Sequence, residues 1–298
     1  MKQITTLLLT TWLFLHTAYC QENYKQYNNL PYISNKKVVK DTLQSLNLVV
    51  PTTSDKMPLL VWIGGGAWSY VNKNVEMHLA KKIASEGIAV ASIGHRLSPA
   101  VWRDATLNKG IKHPKHIEDL AAAVKWLYTH AEKYGYNKEQ FFIGGFSSGG
   151  HLAALLCLNQ KYLKKEGIPP TIIKGIIPIS GTYDVANYRS AFANGSRPDL
   201  AELHVDAVFG KDSLAVADAS PVNYLNNLGT PMLIISDGNV VNYTKLFEEK
   251  IRETQFNNMQ VVYAYHLSHA ELWKDMSHKN QSSYRSLLVN FIKSNLKM

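Results

Sequence analysis

Between residues 59 and 236 the chain returns repeatedly to short runs with almost no polar side chain: LLVWIG (59–64), IAVASIG (88–94), QFFIGGF (140–146), IKGIIPIS (173–180) and PMLIIS (231–236). A strand with one wet face alternates apolar and polar residues, whereas a short continuous apolar run reads as a strand covered on both faces. Amphipathic segments lie between these runs. In HPKHIEDLAAAVKWLYTHAEKYG the residues Ile117, Leu120, Ala121, Val124 and Leu127 recur at helical spacing, with Pro114 suited to the start and Gly135 to the end. LNLVV (46–50) and MQVVYAYH (259–266) add strands; VEMHLAKKIASEG, GGHLAALLCLNQKYL and YRSLLVNFIKSNL add helices. This alternation predicts a mostly parallel sheet with helices on both faces. Residues 21–40 read as a polar leader and 181–224 as a small irregular insert with the position of a lid. No repeat or interdomain linker interrupts 21–298, which is expected to form one domain.

The first twenty residues have a different character. A short positive start, the apolar ITTLLLTTWLFL and the small residues of TAYC before Gln21 have the layout of a secretory signal, too short for a bilayer span. The expectation is a secreted or periplasmic protein without stable membrane insertion. Removal of that segment leaves Cys157 as the one cysteine, so the fold rests on core burial, with Cys157 a buried inert thiol. The formal charge of +9 permits acidic partners, but the lysines are scattered and form no nucleic-acid module. No nucleic-acid partner is expected.

Two glycine-rich turns carry the chemistry. Gly145-Phe146-Ser147-Ser148-Gly149 stands where a buried strand ends and a helix begins. A nucleophilic serine there needs a sharp turn with nearly side-chain-free neighbours, and the helix N-terminus beneath it supplies backbone N–H groups. Ser147 is the nucleophile candidate and Ser148 a backbone donor. The second turn, in VWIGGGAW (61–68), lets amides approach a substrate oxygen, as an oxyanion hole requires. A phosphate cradle is the competing reading, weakened by the missing P-loop Lys-Ser/Thr and by Ala67-Trp68-Ser69 where G-x-G-x-x-G fails.

VWIGGGAW, SIGHRLSP, HPKHIEDLAAAVKWL, GGFSSGGHLAALL, SGTYDV and ASPVNYL occur in that order, and the chain from about Leu59 onward resembles α/β-hydrolase-fold carboxylesterases of the secreted bacterial acetyl-esterase, feruloyl-esterase or lipase-like type. The resemblance implies an oxyanion hole from the amides of Gly66, Ala67 and Ser148. Where the family has histidine before its glycines, this chain has Gly64; where it has Tyr-Arg-Leu-Ser-Pro, this chain has His95-Arg96-Leu97-Ser98-Pro99.

A serine nucleophile needs a histidine base and an acid to orient it, in the chain order Ser, Asp/Glu, His for this fold. His269, in YHLSHAELW, is the base candidate, expected in the loop before the final helix; His266, at the strand end, is expected to be packed. The acid is irregular. The family's position falls on Asn239 or Val240, and Asp237 is the carboxylate of that loop. Asp237 through a shifted turn, Asp184 from SGTYDV, or an acid lost to Asn239 all stay open.

The expected function is hydrolysis of carboxylic esters through an acyl-enzyme, with no metal or organic cofactor. The substrate is a small-molecule or carbohydrate ester: acetyl, feruloyl or short acyl. Trp68 and Phe146 are expected to line an acyl pocket. The rival reading is a catalytically impaired binding protein on the same scaffold, since fold and activity can part company.

Overall fold

A computed structural model describes residues 23–33, 43–53 and 56–296. The proposed signal, residues 1–20, lies outside them. The described residues build one eight-stranded sheet: β1 (Tyr24–Pro31), β2 (Ser45–Pro51), β3 (Met57–Ile63), β4 (Ala89–Ile93), β5 (Tyr136–Phe146), β6 (Ile173–Ile179), β7 (Met232–Asp237) and β8 (Met259–Ala264). Their spatial order is β1-β2-β4-β3-β5-β6-β7-β8. β1 pairs antiparallel with β2 and β2 with β4; every later pairing is parallel.

Among the described residues ten α-helices connect and cover the sheet: α1 (Met77–Ala84), α2 (Lys115–Tyr134), α3 (Ser148–Leu158), α4 (Lys161–Lys165), α5 (Val185–Ala193), α6 (Ala207–Phe209), α7 (Ser213–Asp218), α8 (Val241–Glu253), α9 (His269–His278) and α10 (Ser283–Ser294). The apolar runs are buried on both faces, as their lack of alternation requires. In β3, Leu59, Val61 and Ile63 join Leu120, Val124 and Leu152 on one side of the sheet. Leu60 and Trp62 point the other way, to Leu79, Ile83, Met276 and Ile292. Cys157 is buried, and burial pushes its thiol pKa well up, so it stays a protonated core residue.

Three elements depart from the sequence reading. The supposed polar leader contains β1, an edge strand whose residues are exposed except for the partly buried Tyr24, Tyr27 and Leu30, and which so shows no apolar alternation. The insert is mainly helical: α5, a π-helical turn (Ala201–Asp206), α6, α7 and a 3-10 segment (Pro221–Asn227). It is pinned to the body through Asp218, which takes hydrogen bonds from Lys161, Tyr162 at 2.6 Å, His113 at 2.8 Å and Tyr224 at 3.0 Å. Finally, the single helix expected after the serine turn breaks at Asn159 into α3 and α4.

Candidate active site

Every candidate side chain hangs from the C-terminal end of a parallel strand or the helix that follows it. Ser147 joins β5 to α3 with φ 57 and ψ −122, a conformation that a residue with a side chain adopts only under strain. Its two flanking glycines are needed for space. A Cβ on Gly145 would sit 2.5 Å from the Gly149 carbonyl, and one on Gly149 would sit 2.0 Å from Ile63 O. Strand β3 therefore passes directly over the turn. The amide of Ser147 donates to Ile179 O at 2.8 Å, tying the turn to β6 as well.

The glycine loop after β3 curls over this turn. Gly66, Ala67 and Trp68 have φ of 146, 50 and 58. The turn is closed by the amides of Ser69 and Tyr70, which both donate to Gly66 O at 2.9 Å. Trp68 Nε1 donates to His151 Nδ1 at 3.2 Å, and His151 Nε2 donates to Ala219 O at 2.8 Å. Burial brings the His151 pKa down to about 3, so the ring is neutral and keeps its Nδ1 acceptor. The loop, helix α3 and the end of the insert are thus locked together by one imidazole. Gly65, which the sequence reading passed over within its glycine run, is the loop residue against the nucleophile. A Cβ there would meet Ser147 Cβ at 3.2 Å.

On the other side, Asp237 ends β7, fully buried. Its Oδ2 accepts from His269 Nδ1 at 2.7 Å and its Oδ1 from the Asn239 amide at 2.9 Å. Burial alone pushes the carboxyl up. The hydrogen bonds from His269 and Ser180, the His269 charge and the Asn239 amide outweigh burial and leave the pKa below the ordinary aspartate value. Ser180 contributes from the end of β6 with φ 51, its Oγ accepting from the Asp237 amide at 3.2 Å. Asn239 stands beside the pair, its Oδ1 accepting from His269 N at 2.7 Å. Asp184 is used elsewhere: it caps α5 by accepting from the Asn187 amide at 3.0 Å.

His269 is the first residue of α9 rather than part of a loop. Ser268 and Glu271 form a reciprocal capping box that starts the helix there. The signal was present as Ser-His-Ala-Glu, the S-x-x-E spacing. His266, expected to be packed, is exposed on the turn after β8. Phe146 lies against the His269 ring, 4.7 Å between centroids, and against Trp273.

Ser147, Ser148, His269, Ala67 and Trp68 share one cavity of about 140 Å³, closed by Tyr70, Ser180, Gly181, Thr182, Tyr188, Val240 and Tyr243. Gly66 and Phe146 are not among its lining residues. With Nδ1 bound to a carboxylate, the second nitrogen of His269 is the one that can take up a proton. Among the described residues no group of three or more His, Cys, Asp or Glu side chains is arranged to hold a metal ion. No helix among them is long and apolar enough to cross a membrane.

This strand order, with a serine elbow at β5 and an Asp–His pair beyond β7 and β8, defines an α/β-hydrolase fold. The structure of esterase B from Lactobacillus rhamnosis superposes with TM-score 0.77 at 19% identity, covering 93% of this chain and 88% of that one. A truncated carbohydrate esterase from gut microbiota superposes with TM-score 0.72 at 19% identity, over 93% of this chain and 99% of that one. The sequence matches the BD-FAE family over residues 46–251, and the chain belongs to that family. It is also 28% identical over 216 residues to the probable carboxylic ester hydrolase LipM of Mycobacterium tuberculosis, 70% of this chain and 47% of LipM. The chain spans less than half the length of the curated relatives it matches.

Proposed function

We propose that the protein is an exported serine hydrolase of carboxylic esters, with Ser147, His269 and Asp237 as its catalytic triad. The observation that carries this reading is the 2.7 Å hydrogen bond from His269 Nδ1 to a buried carboxylate, on a histidine that shares one cavity with a serine held at φ 57. Ser147 Oγ attacks the ester carbonyl carbon as its proton passes to His269 Nε2. The oxygen of the tetrahedral intermediate is held by amides of Ala67, Ser148 and the adjoining glycine loop, where Gly65 joins Gly66 as a candidate donor. Collapse expels the alcohol, which takes the proton from His269. Water then repeats the cycle on the acyl-enzyme and frees the acid. Asp237 orients the ring and stabilises its charged form without taking the proton.

The cavity suits acetyl or another short acyl group better than a bulky aromatic acid. The likeness to a carbohydrate esterase supports an acetylated or short-acyl carbohydrate as the substrate. Export rests on the layout of residues 1–20.

Hydrolysis of p-nitrophenyl acetate by the wild type and by Ser147→Ala tests the reading. The variant should lose at least about 10³-fold in kcat. A wild type no faster than Ser147→Ala would sink the proposal and favour a binding protein on this scaffold.

A further inference from the structure

One buried acid near the site has no part in the chemistry above. Glu76 immediately precedes α1 and is only 3% exposed. Its Oε2 accepts from Trp62 Nε1 at 2.7 Å. The other side of the carboxyl lies against Gly64. A Cβ on that glycine would come 2.6 Å from Oε1, 2.8 Å from Cδ and 3.0 Å from Cγ. Gly64 does not have the left-handed φ that would call for glycine, so space is the reason for glycine here. Trp62 and Gly64 are two residues apart at the end of β3 and face the same side. Glu76 bridges them. Burial pushes its pKa up to about 8 despite the Trp62 hydrogen bond, so at neutral pH the group is a carboxylic acid that can donate as well as accept.

The chain that leaves Gly64 runs straight into the machinery. A Cβ on Gly65 would meet Ser147 Cβ, and Gly66, Ala67 and Trp68 follow through positive φ. A shift at Gly64 is therefore carried to the amides that face the substrate oxygen. We propose that Glu76 is a positioning residue for the oxyanion loop: clamped by Trp62, its carboxyl occupies the space beside Gly64 and fixes the direction in which residues 64–67 leave the strand. Gly64, where the resemblance to α/β-hydrolase-fold carboxylesterases implies histidine, is thereby supported from the segment ahead of α1. The inference rests on the serine-esterase reading.

The test measures kcat and KM for p-nitrophenyl acetate in the wild type, Ser147→Ala, Glu76→Ala, Glu76→Gln, Gly64→Ala and the Gly64→Ala/Glu76→Ala double variant, with near-UV circular dichroism as the check of folding. Loss of transition-state amides acts on kcat, so Glu76→Ala should lower kcat about ten- to a hundredfold with KM within about twofold. Glu76→Gln, which keeps the shape and the capacity to bond Trp62, should recover most of that loss. Gly64→Ala should lower kcat by a similar factor, because its Cβ displaces the carboxyl, and the double variant should be no worse than the worse single one. A folded Glu76→Ala with kcat within about twofold of wild type, a Glu76→Gln as damaged as Glu76→Ala, or additive losses in the double variant would each overturn the proposal. Should Glu76→Ala not fold, Gly64→Ala decides alone, and an unchanged kcat there overturns it. A wild type no faster than Ser147→Ala is a different result, because it removes the esterase reading itself.

Discussion

Asp237, at the end of β7, and Glu76, under the loop after β3, are buried to nearly the same extent on either side of the nucleophile turn. Burial works in the same direction on both, yet one carboxyl is held below its ordinary value and the other is pushed up to about 8. Depth and donors both make the difference: Glu76 lies deeper in the protein, and Asp237 has more donors around it. Asp237 receives His269 Nδ1 and the Asn239 amide, and its histidine partner gains a charge in the proposed reaction. Glu76 receives Trp62 Nε1, a neutral donor, while its other edge fills the space a Gly64 Cβ would need. Two acids that look alike by exposure are therefore assigned different work. One is an anion that orients a base, and the other is a neutral wedge that shapes a loop.

The most severe way to break this contrast is to make Asp237 neutral without changing its shape. Asp237→Asn should lower kcat by about 10⁴, the cost of the equivalent change in a well-studied triad, because an amide favours the wrong histidine tautomer. KM should change little. Adding Asn239→Asp to that variant should not restore the rate, since the Asn239 side chain bonds the His269 backbone amide and not the ring. Recovery in the double variant would place the acid at 239 and dissolve the comparison.

A smaller effect separates the two acids by pH. Glutamate in the unfolded chain titrates near 4.5, and Glu76 in the folded protein near 8. The folded state thus binds the extra proton between those values. The stability contributed by Glu76 is complete below pH 4.5 and is lost as pH rises through about 8. Asp237 has the opposite sign: its contribution is present above the unfolded aspartate value of 3.8 and is lost as pH falls through its lower folded pKa. Urea unfolding at about pH 5 and about pH 8 should therefore show Glu76→Gln losing about 2–4 kcal/mol less than wild type across that interval, with about 1.4 kcal/mol per pH unit as the ceiling. Asp237→Asn should keep the wild-type decline. An identical slope in wild type and Glu76→Gln would mean that Glu76 is ionised in the folded state.

The two sides of the site were not equally legible in the sequence. The serine turn was readable because its glycines answer a local need: a strained residue at a strand end, crowded by neighbouring backbone, declares itself in G-x-S-x-G. Strand type was readable too, since burial on both faces removes alternation. The acid side depends on long-range registration. Whether Asp237 or position 239 meets His269 is decided by how β7 and the turn after β8 come together, with Gly238 N donating to Leu267 O at 2.9 Å, and no local pattern encodes that. β1 was hidden because an exposed edge strand needs little apolar patterning. Glu76 was hidden for another reason. A single glutamate beside a helix reads as surface charge, and the folded chain places it inside, bonded to Trp62 and over Gly64.

The mildest test concerns Asn239, which touches both members of the pair without belonging to it. Its backbone amide donates to Asp237 Oδ1 at 2.9 Å, and its side-chain oxygen accepts from the amide at the start of α9 at 2.7 Å. Asn239→Ala keeps the first bond and removes the second. The lost hydrogen bond should weaken the seating of His269 by about 1 kcal/mol, which corresponds to about a fivefold fall in kcat if it is felt wholly in the transition state. Asn239→Gly removes the same side chain and also loosens the backbone that presents the 2.9 Å donor, so it should cost more than the alanine. If both variants keep the wild-type kcat, the His269 contact is sufficient to hold the Asp237 anion, and Asn239 is left with the start of α9 alone.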